Sequence, residues 1–208
     1  MKQTSQGWEL SFSIGYDAIV NVDVVFELTH KLSQHSTSVL RLKEEVLAGG
    51  WESLESGEID ILFSTLPERP LPQHIQTMHI YSDTMVWAAN PDYANRLNLN
   101  NNRKWTDATL VVIPDTAKTY AKESRNLDAH QSKRFYAANI NNKKQAIVAS
   151  IGIGTLPKCM IEQEDLVNLG TSKSVDIYAA WSRSNMGKTK ALALQALRNL
   201  ANKDLFST

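Results

Sequence analysis

Between Trp8 and Ser64 the chain switches repeatedly between two hydrophobic periods, and no other feature limits its fold as strongly. Trp8-Glu9-Leu10-Ser11-Phe12-Ser13-Ile14-Gly15 alternates apolar and polar residues and stops on glycine, which predicts a strand. Val22, Val25, Phe26 and Thr29 then recur at helical spacing, with Val24, Leu28 and Leu32 marking a second apolar face, wider than one core requires. Val39-Leu40-Arg41-Leu42 predicts a second strand. Glu44 to Ser56 predicts a second helix, interrupted by Gly49-Gly50. Ile59-Asp60-Ile61-Leu62-Phe63-Ser64 is almost continuously apolar, as a strand buried on both faces should be. Strand and helix in alternation argue for βαβ units, a parallel sheet and right-handed crossovers.

The remainder continues the pattern more loosely. A loop holding Pro67, Pro70 and Pro72 precedes an extended segment, Ile75 to Tyr81, and a new strand from Thr84 to Ala89 is closed by Asn90-Pro91. The asparagine-rich tract Asn98 to Lys104 reads as a surface loop. Leu110 to Pro114 predicts a buried strand and Phe135 to Ala138 a shorter one. Asn141 or Asn142 is expected to cap a helix running to about Ser150. Val175 to Trp181 predicts a late strand, and Gly187 to Asn202 a closing helix rich in Ala and Leu.

Charge narrows the partners. Lys plus Arg number 22 and Asp plus Glu also 22, so no net field draws this chain to nucleic acid or to an anionic membrane. No apolar run approaches the ~20 residues that a membrane-spanning helix needs. The N-terminus has no apolar block behind its lysine, so a signal peptide is not expected and a cytoplasmic location is. Cys159, the single cysteine, cannot form an internal disulfide; after proline and in an apolar run, it is expected to be a buried, inert thiol.

Ser150-Ile151-Gly152-Ile153-Gly154-Thr155-Leu156-Pro157 looks at first like a phosphate-binding turn. A dinucleotide fingerprint, however, places its glycines after a strand and before a helix, so that the phosphates meet the helix N-terminus. Here the helical pattern comes first and the glycines end it. Gly152 is therefore expected to cap that helix with positive φ, and Gly154 to start a short strand. Gly187-Lys188-Thr189 lacks the upstream glycine of a phosphate loop.

Lys144 to Leu169, "KQAIVASIGIGTLPKCMIEQEDLVNL", resembles a signature of the effector-binding domain of LysR-type transcriptional regulators, with Gly152, Gly154, Leu156, Pro157, Asp165, Leu166 and Val167 at the corresponding places. Ser150 and Glu164-Asp165 depart mildly from it. "GWELSFSIGYDAI" resembles the opening strand of a subgroup of these regulators, and Leu54, Gly57 and Asp60 sit at the spacing of their L-x-x-G-x-x-D segment. "YSDTMVWAANPDY" resembles the crossover into their second subdomain, and the stretch from Val175 to Leu200 their return strand and closing helix. The resemblance covers nearly the whole chain. It implies an α/β fold of two Rossmann-like subdomains joined by two crossover strands, of the periplasmic binding protein type 2 kind. Residues 1–82 and 184–208 would form one subdomain and 83–183 the other. It also implies a bacterial, cytoplasmic homodimer that senses a small organic effector in the cleft between its lobes. DNA binding would belong to an N-terminal winged helix-turn-helix that is missing from this chain, which begins where the effector domain would begin. A small two-lobed enzyme or a solute-binding protein of the same superfold is the alternative.

Open α/β sheets place ligands at strand carboxyl ends and helix N-termini. The candidate effector-binding positions are thus Tyr16, Asp17 and Ala18; Glu44 and Glu45, beside Lys43; Ser64 and Thr65; Asp115 and Thr116; and Asn141 at a helix start. Each is equally a residue type that serves as cap or turn. Four carboxylates against one lysine point to a neutral or cationic effector, with an aromatic part against Tyr16, rather than a small dianion. His30, His35, His74, His79 and His130 are scattered, with no metal-ligand spacing. No catalytic residue, metal or cofactor is expected. The second apolar face, Val24 and Leu28, is expected to pair with the helix from Lys143 to Ser150 of a second copy.

Overall fold

The computed structural model describes residues 7–100, 105–119, 133–162, 164–184 and 186–201. Its elements run β1 (Ser11–Asp17), α1 (Val22–His35), β2 (Val39–Glu45), α2 (Ala48–Glu55), β3 (Ile61–Ser64), β4 (Ile75–Ala89), α3 (Pro91–Arg96), β5 (Leu110–Val112), β6 (Arg134–Tyr136), α4 (Ile140–Val148), β7 (Gly154–Pro157), α5 (Lys158–Ile161), β8 (Val167–Ser182) and α6 (Lys188–Ala201). The strand order is β2-β1-β3-β8-β4-β7, with β5 and β6 forming a separate pair. The chain divides into two compact units: Met1–Tyr81, Asp115–Lys122 and Asp176–Thr208 form the first, Ser82–Pro114 and Glu123–Val175 the second. Both β4 and β8 therefore pass from one unit into the other.

In the first unit β1 lies between β2 and β3 and runs parallel to both, while β3 pairs antiparallel with the end of β8, Ile61 opposite Trp181 and Ser64 opposite Tyr178. Every residue of β3 is buried, in keeping with its continuous apolar sequence. Asn21 caps α1 by accepting the Asp23 N–H, and Val24, Val25, Leu28 and Leu32 are all buried in this unit, where α1 packs against α6. Val24 and Leu28 are thus core, not the outward face expected of them; with α6 on one side and the sheet on the other, α1 needs a wide apolar stripe. Phe26, 51% exposed, is the apolar residue of α1 that faces outward.

The segment L-x-x-G-x-x-D has a physical reading here. Leu54 is core beneath α2, packed with Trp51, Ile59, Leu62, Ile75 and Ala180. Gly57, at φ 76°, closes α2: its N–H donates to Leu54 O and that of Glu58 to Ser53 O, the two bonds of a Schellman motif. The Asp60 carboxylate then accepts the N–H of Ser13 at 2.8 Å, tying the start of β3 to β1.

In the second unit β4 pairs antiparallel with β7, Met85 opposite Pro157, and β5 pairs parallel with β6. Its core gathers Ala89, Tyr93, Ala94, Leu99, Ala108, Leu110 and Ile153. Asn90 does more than close a strand: its side chain accepts the N–H groups of Asp92 and Tyr93, and with Pro91 it starts α3.

Four further sequence expectations need correction. Glu44 and Glu45 do not begin a helix but continue β2, because Tyr16 and Asp17 of β1 supply them with ladder partners and Leu47, at φ 54°, delays the helix. The cap of α4 is Asn139, whose side chain accepts the Asn142 N–H at 2.8 Å, so Asn141 lies inside the first turn. The left-handed residue after α4 is Ser150, at φ 60°, not Gly152. Gly152 is needed instead for proximity: a Cβ there would stand 2.2 Å from Thr109 O. Cys159 is exposed, because it falls on the outer side of the single-turn α5. Gly154 does begin β7.

Candidate functional site

The parallel register of β1 and β2 brings the first-unit candidates together. Tyr16 stands opposite Glu44 and Asp17 opposite Glu45, and Tyr16 is also in register with Phe63, which puts Ser64 at the same end. All are at the carboxyl ends of parallel strands, where an open α/β sheet exposes its loops. Beyond those ends, residues 115–119 lie against the β2–α2 junction, bringing Thr116 to Glu45 and Asp115 to the Ala48 N–H.

Burial sorts the candidates. Asp17, Ala18, Glu45 and Ser64 are 2–4% exposed. Tyr16, Glu44, Thr65 and Asp115 are half-buried, and Thr116 and Asn141 are exposed. Asn141 belongs to the second unit, on the first turn of α4.

The buried members hold backbone. Asp17 accepts the N–H of Ile19 with one oxygen and that of Leu47 with the other, at 3.1 and 2.9 Å, so it joins the end of β1 to the β2–α2 loop. The Ala18 N–H donates to Glu45 O at 3.0 Å. Trp51 donates its indole N–H to Thr65 O at 3.2 Å, holding the exit from β3 on α2.

Glu45 is the most heavily bonded group of the site. Its carboxylate meets Lys43 Nζ at 2.7 Å and accepts from Ser53 Oγ at 2.8 Å and Thr116 Oγ1 at 2.6 Å. Lys43 also donates to Ser53 Oγ at 3.1 Å and to Glu58 Oε2 at 2.9 Å. Burial pushes the Glu45 pKa up, but the bonds from Lys43, Thr116 and Ser53 outweigh it and hold the carboxyl below its ordinary range. The same two carboxylates raise Lys43 against its own burial. Tyr16 is raised by burial first, then by the charge of Glu44 and the hydrogen bond to it.

Residues the sequence reading passed over complete the arrangement. Gly49, in sequence terms an interruption of a helix, sits in the first turn of α2, and a Cβ there would come 2.0 Å from Thr116 Oγ1 and 2.8 Å from its carbonyl carbon. Glu52, one helical turn further, accepts the N–H groups of Lys118 and Thr119 at 2.6 and 2.9 Å, and the Thr119 hydroxyl as well. The Gly49-Gly50 pair was the available signal, since adjacent glycines inside a helix are costly unless something must approach closely.

This arrangement positions backbone and presents acceptors; it sets no nucleophile against a base. Among the described residues no group of three or more His, Cys, Asp and Glu side chains could hold a metal ion. Nor is any helix among them long and apolar enough to cross a membrane.

Comparison with known proteins agrees with the fold and fixes the family. The model of the LysR substrate binding domain matches residues 11–202. The probable HTH-type transcriptional regulator YhaJ of Escherichia coli strain K12 is 28% identical over 206 residues, covering 95% of this chain and 69% of that regulator. The C-terminal domains of a LysR family protein from Agrobacterium tumefaciens superpose with a TM-score of 0.71 at 13% identity, covering 93% of this chain and 97% of that one. Full-length LysG of Corynebacterium glutamicum, solved with bound effector Arg, superposes at 0.69 and 14% identity, covering 92% and 68%. The chain belongs to the LysR substrate-binding domain family: it is the effector-binding domain of a LysR-type transcriptional regulator, and not an enzyme.

Proposed function

We propose that the effector of this domain is neutral or cationic and rich in hydrogen-bond donors, and that it is recognised at the strand carboxyl ends of the first unit. Tyr16, Glu44, Thr65, Asp115 and Thr116 are the contacts, because they keep accessible surface there. Asp17, Ala18, Glu45 and Ser64 shape the floor from below. One observation carries this reading: Asp17, Glu45, Glu52 and Asp115 each already accept N–H or O–H donors from the chain itself. An incoming anion would meet the accessible carboxylates Glu44, Glu52 and Asp115, with Asp17 and Glu45 buried beneath them, whereas a donor meets acceptors. Tyr16 adds a ring face for an aromatic or cationic part.

Thermal shift and calorimetry with matched small molecules test it: amines, amides and hydroxylated aromatics against mono- and dicarboxylates. A ligand that binds the folded state raises the midpoint by mass action. Stabilisation by a donor-rich compound that is lost in Tyr16→Ala is the expected result. Stabilisation by dicarboxylates alone overturns the reading.

The chain is further proposed to work as a homodimer, in the cytoplasm, within a regulator whose DNA contacts lie outside these residues. The even charge balance supports the last point. Phe26 of α1, and Val39 and Leu42 of the edge strand β2 at 57% and 39% exposure, are exposed apolar side chains of the first unit that support pairing.

A further inference from the structure

We propose that residues 115–119 form a detachable strap, docked at the β2–α2 junction and able to lift off while the rest of the first unit stays folded.

The strap is held almost entirely by polar clamps. The Thr116 N–H donates to Val46 O at 3.3 Å, and its hydroxyl accepts the Val46 N–H at 3.0 Å while donating to Glu45. Asp115 accepts the Ala117 N–H at 2.8 Å and the Ala48 N–H at 3.4 Å. Glu52 takes the N–H groups of Lys118 and Thr119. Ala117 is the one buried side chain of the five, while Thr116, Lys118 and Thr119 are exposed. Segments with few buried apolar contacts and accessible backbone bonds sit at the low-stability end of a fold, so they open before it does.

The docking face is shaped for the strap. Any side chain at Gly49 would overlap the Thr116 carbonyl carbon and the Ala117 nitrogen, both within 2.9 Å of the position a Cβ would take. Gly49 has no positive φ, so its own helix does not require glycine. The strap does.

Lifting strands little. Glu45 keeps Lys43 and Ser53 when Thr116 leaves, so its buried carboxylate stays paired. Glu52 returns to solvent. What opens is a row of groups at one edge: the Val46 N–H, the Ala48 N–H and one oxygen of Glu45, while the Val46 C=O keeps the Gly49 N–H. The strap is thus a placeholder for a donor-bearing ligand and a segment whose position such a ligand would report.

Amide hydrogen exchange of the intact chain, read residue by residue by NMR, tests the strap without any effector and so independently of the effector's charge. The N–H groups of Thr116, Lys118 and Thr119 are expected to exchange at least tenfold faster than the buried amides of α1 and α6. Gly49→Ala should speed all three a further tenfold or more, leaving α1 and α6 unchanged. Glu52→Ala should do the same for Lys118 and Thr119 from a half-exposed position, and it decides the matter if Gly49→Ala fails to fold. Strap amides that exchange in step with α1 and α6, in the parent chain and in the folded variants, overturn the proposal.

Discussion

The carboxylate of Glu9 accepts the N–H of Thr189, 180 residues away, at 2.9 Å, and with its second oxygen the N–H of Lys190 at 3.0 Å. These are the second and third residues of α6, donors that a helix leaves unsatisfied at its start. The N-terminal end of the chain thus supplies the cap of its last helix, and Glu9 is fully buried in doing so. Ser38 completes the junction, its hydroxyl bonded to Glu9 O at 2.5 Å and to Thr189 Oγ1 at 2.6 Å.

Removing that cap should be expensive. Glu9→Ala leaves two N–H groups buried without acceptors, and charged hydrogen bonds contribute about 1.5–3 kcal/mol each. A loss of about 3 kcal/mol by urea denaturation is expected. Gly187→Ala should also destabilise, since a Cβ there would stand 2.3 Å from the Glu9 carboxyl carbon. A Glu9→Ala chain as stable as its parent would show that α6 is held by packing alone.

The turn after α4 predicts a pair of opposite effects. Gly152→Ala drives a methyl into the Thr109 carbonyl, which as backbone cannot step aside, at a cost of about 1–3 kcal/mol. Ser150→Gly relieves a left-handed residue and should stabilise by up to about 1 kcal/mol. Denaturant midpoints of the two variants should move in opposite directions.

Glu45 predicts the acid limb of the stability curve. Its folded pKa lies below the ordinary value of 4.5, so its contribution is complete above pH 4.5 and fades as pH falls through the lower folded value. Unfolding free energy followed from pH 7 to pH 3 should fall in the parent chain across that window. Glu45→Gln should start less stable at pH 7 and decline less below pH 4.5. Parallel curves for the two proteins would remove Glu45 from the account.

Pairing through the first unit predicts an effect of Phe26. At 51% exposure on α1 it adds little to its own unit, so Phe26→Asp should leave the unit folded, with an unchanged far-ultraviolet circular dichroism spectrum. Sedimentation equilibrium at high concentration should shift from dimer toward monomer. An unchanged dimer would place the interface elsewhere.

Where local physics and tertiary demand agreed, the elements were legible. Period-two alternation before Gly15, the apolar run of β3 and the glycine that closes α2 at Gly57 each announce a structure made by neighbours in sequence. Where they disagreed, tertiary pairing won. Glu44 and Glu45 have good helical propensity, yet a ladder against Tyr16 and Asp17 satisfies their backbone first. Asparagines at positions 139, 141 and 142 offered the same cap chemistry at the start of α4, and the side chain of Asn139 takes the role by accepting the Asn142 N–H.

The candidate site divides along the same line. That Asp17, Glu45, Ser64 and Thr116 belong near strand ends follows from the order of elements, because a parallel βαβ chain returns its loops to one edge. Which of them remain accessible does not follow. Asp17 and Glu45 turned inward to hold Leu47, Ser53 and Thr116, leaving surface to Tyr16 and Thr116.

The α/β class and the order of strands and helices in the first unit can be read from residues close in the chain, because periodicity and backbone preference are set among near neighbours, while the signature at Gly152 to Pro157 is legible as a family resemblance. That Glu9 caps α6, that Gly49 admits residues 115–119, that Gly152 answers to Thr109, and that Val24 and Leu28 face inward emerge in the folded chain alone. Each of these depends on atoms brought together from distant parts of the chain, and no local pattern encodes which distant group will arrive.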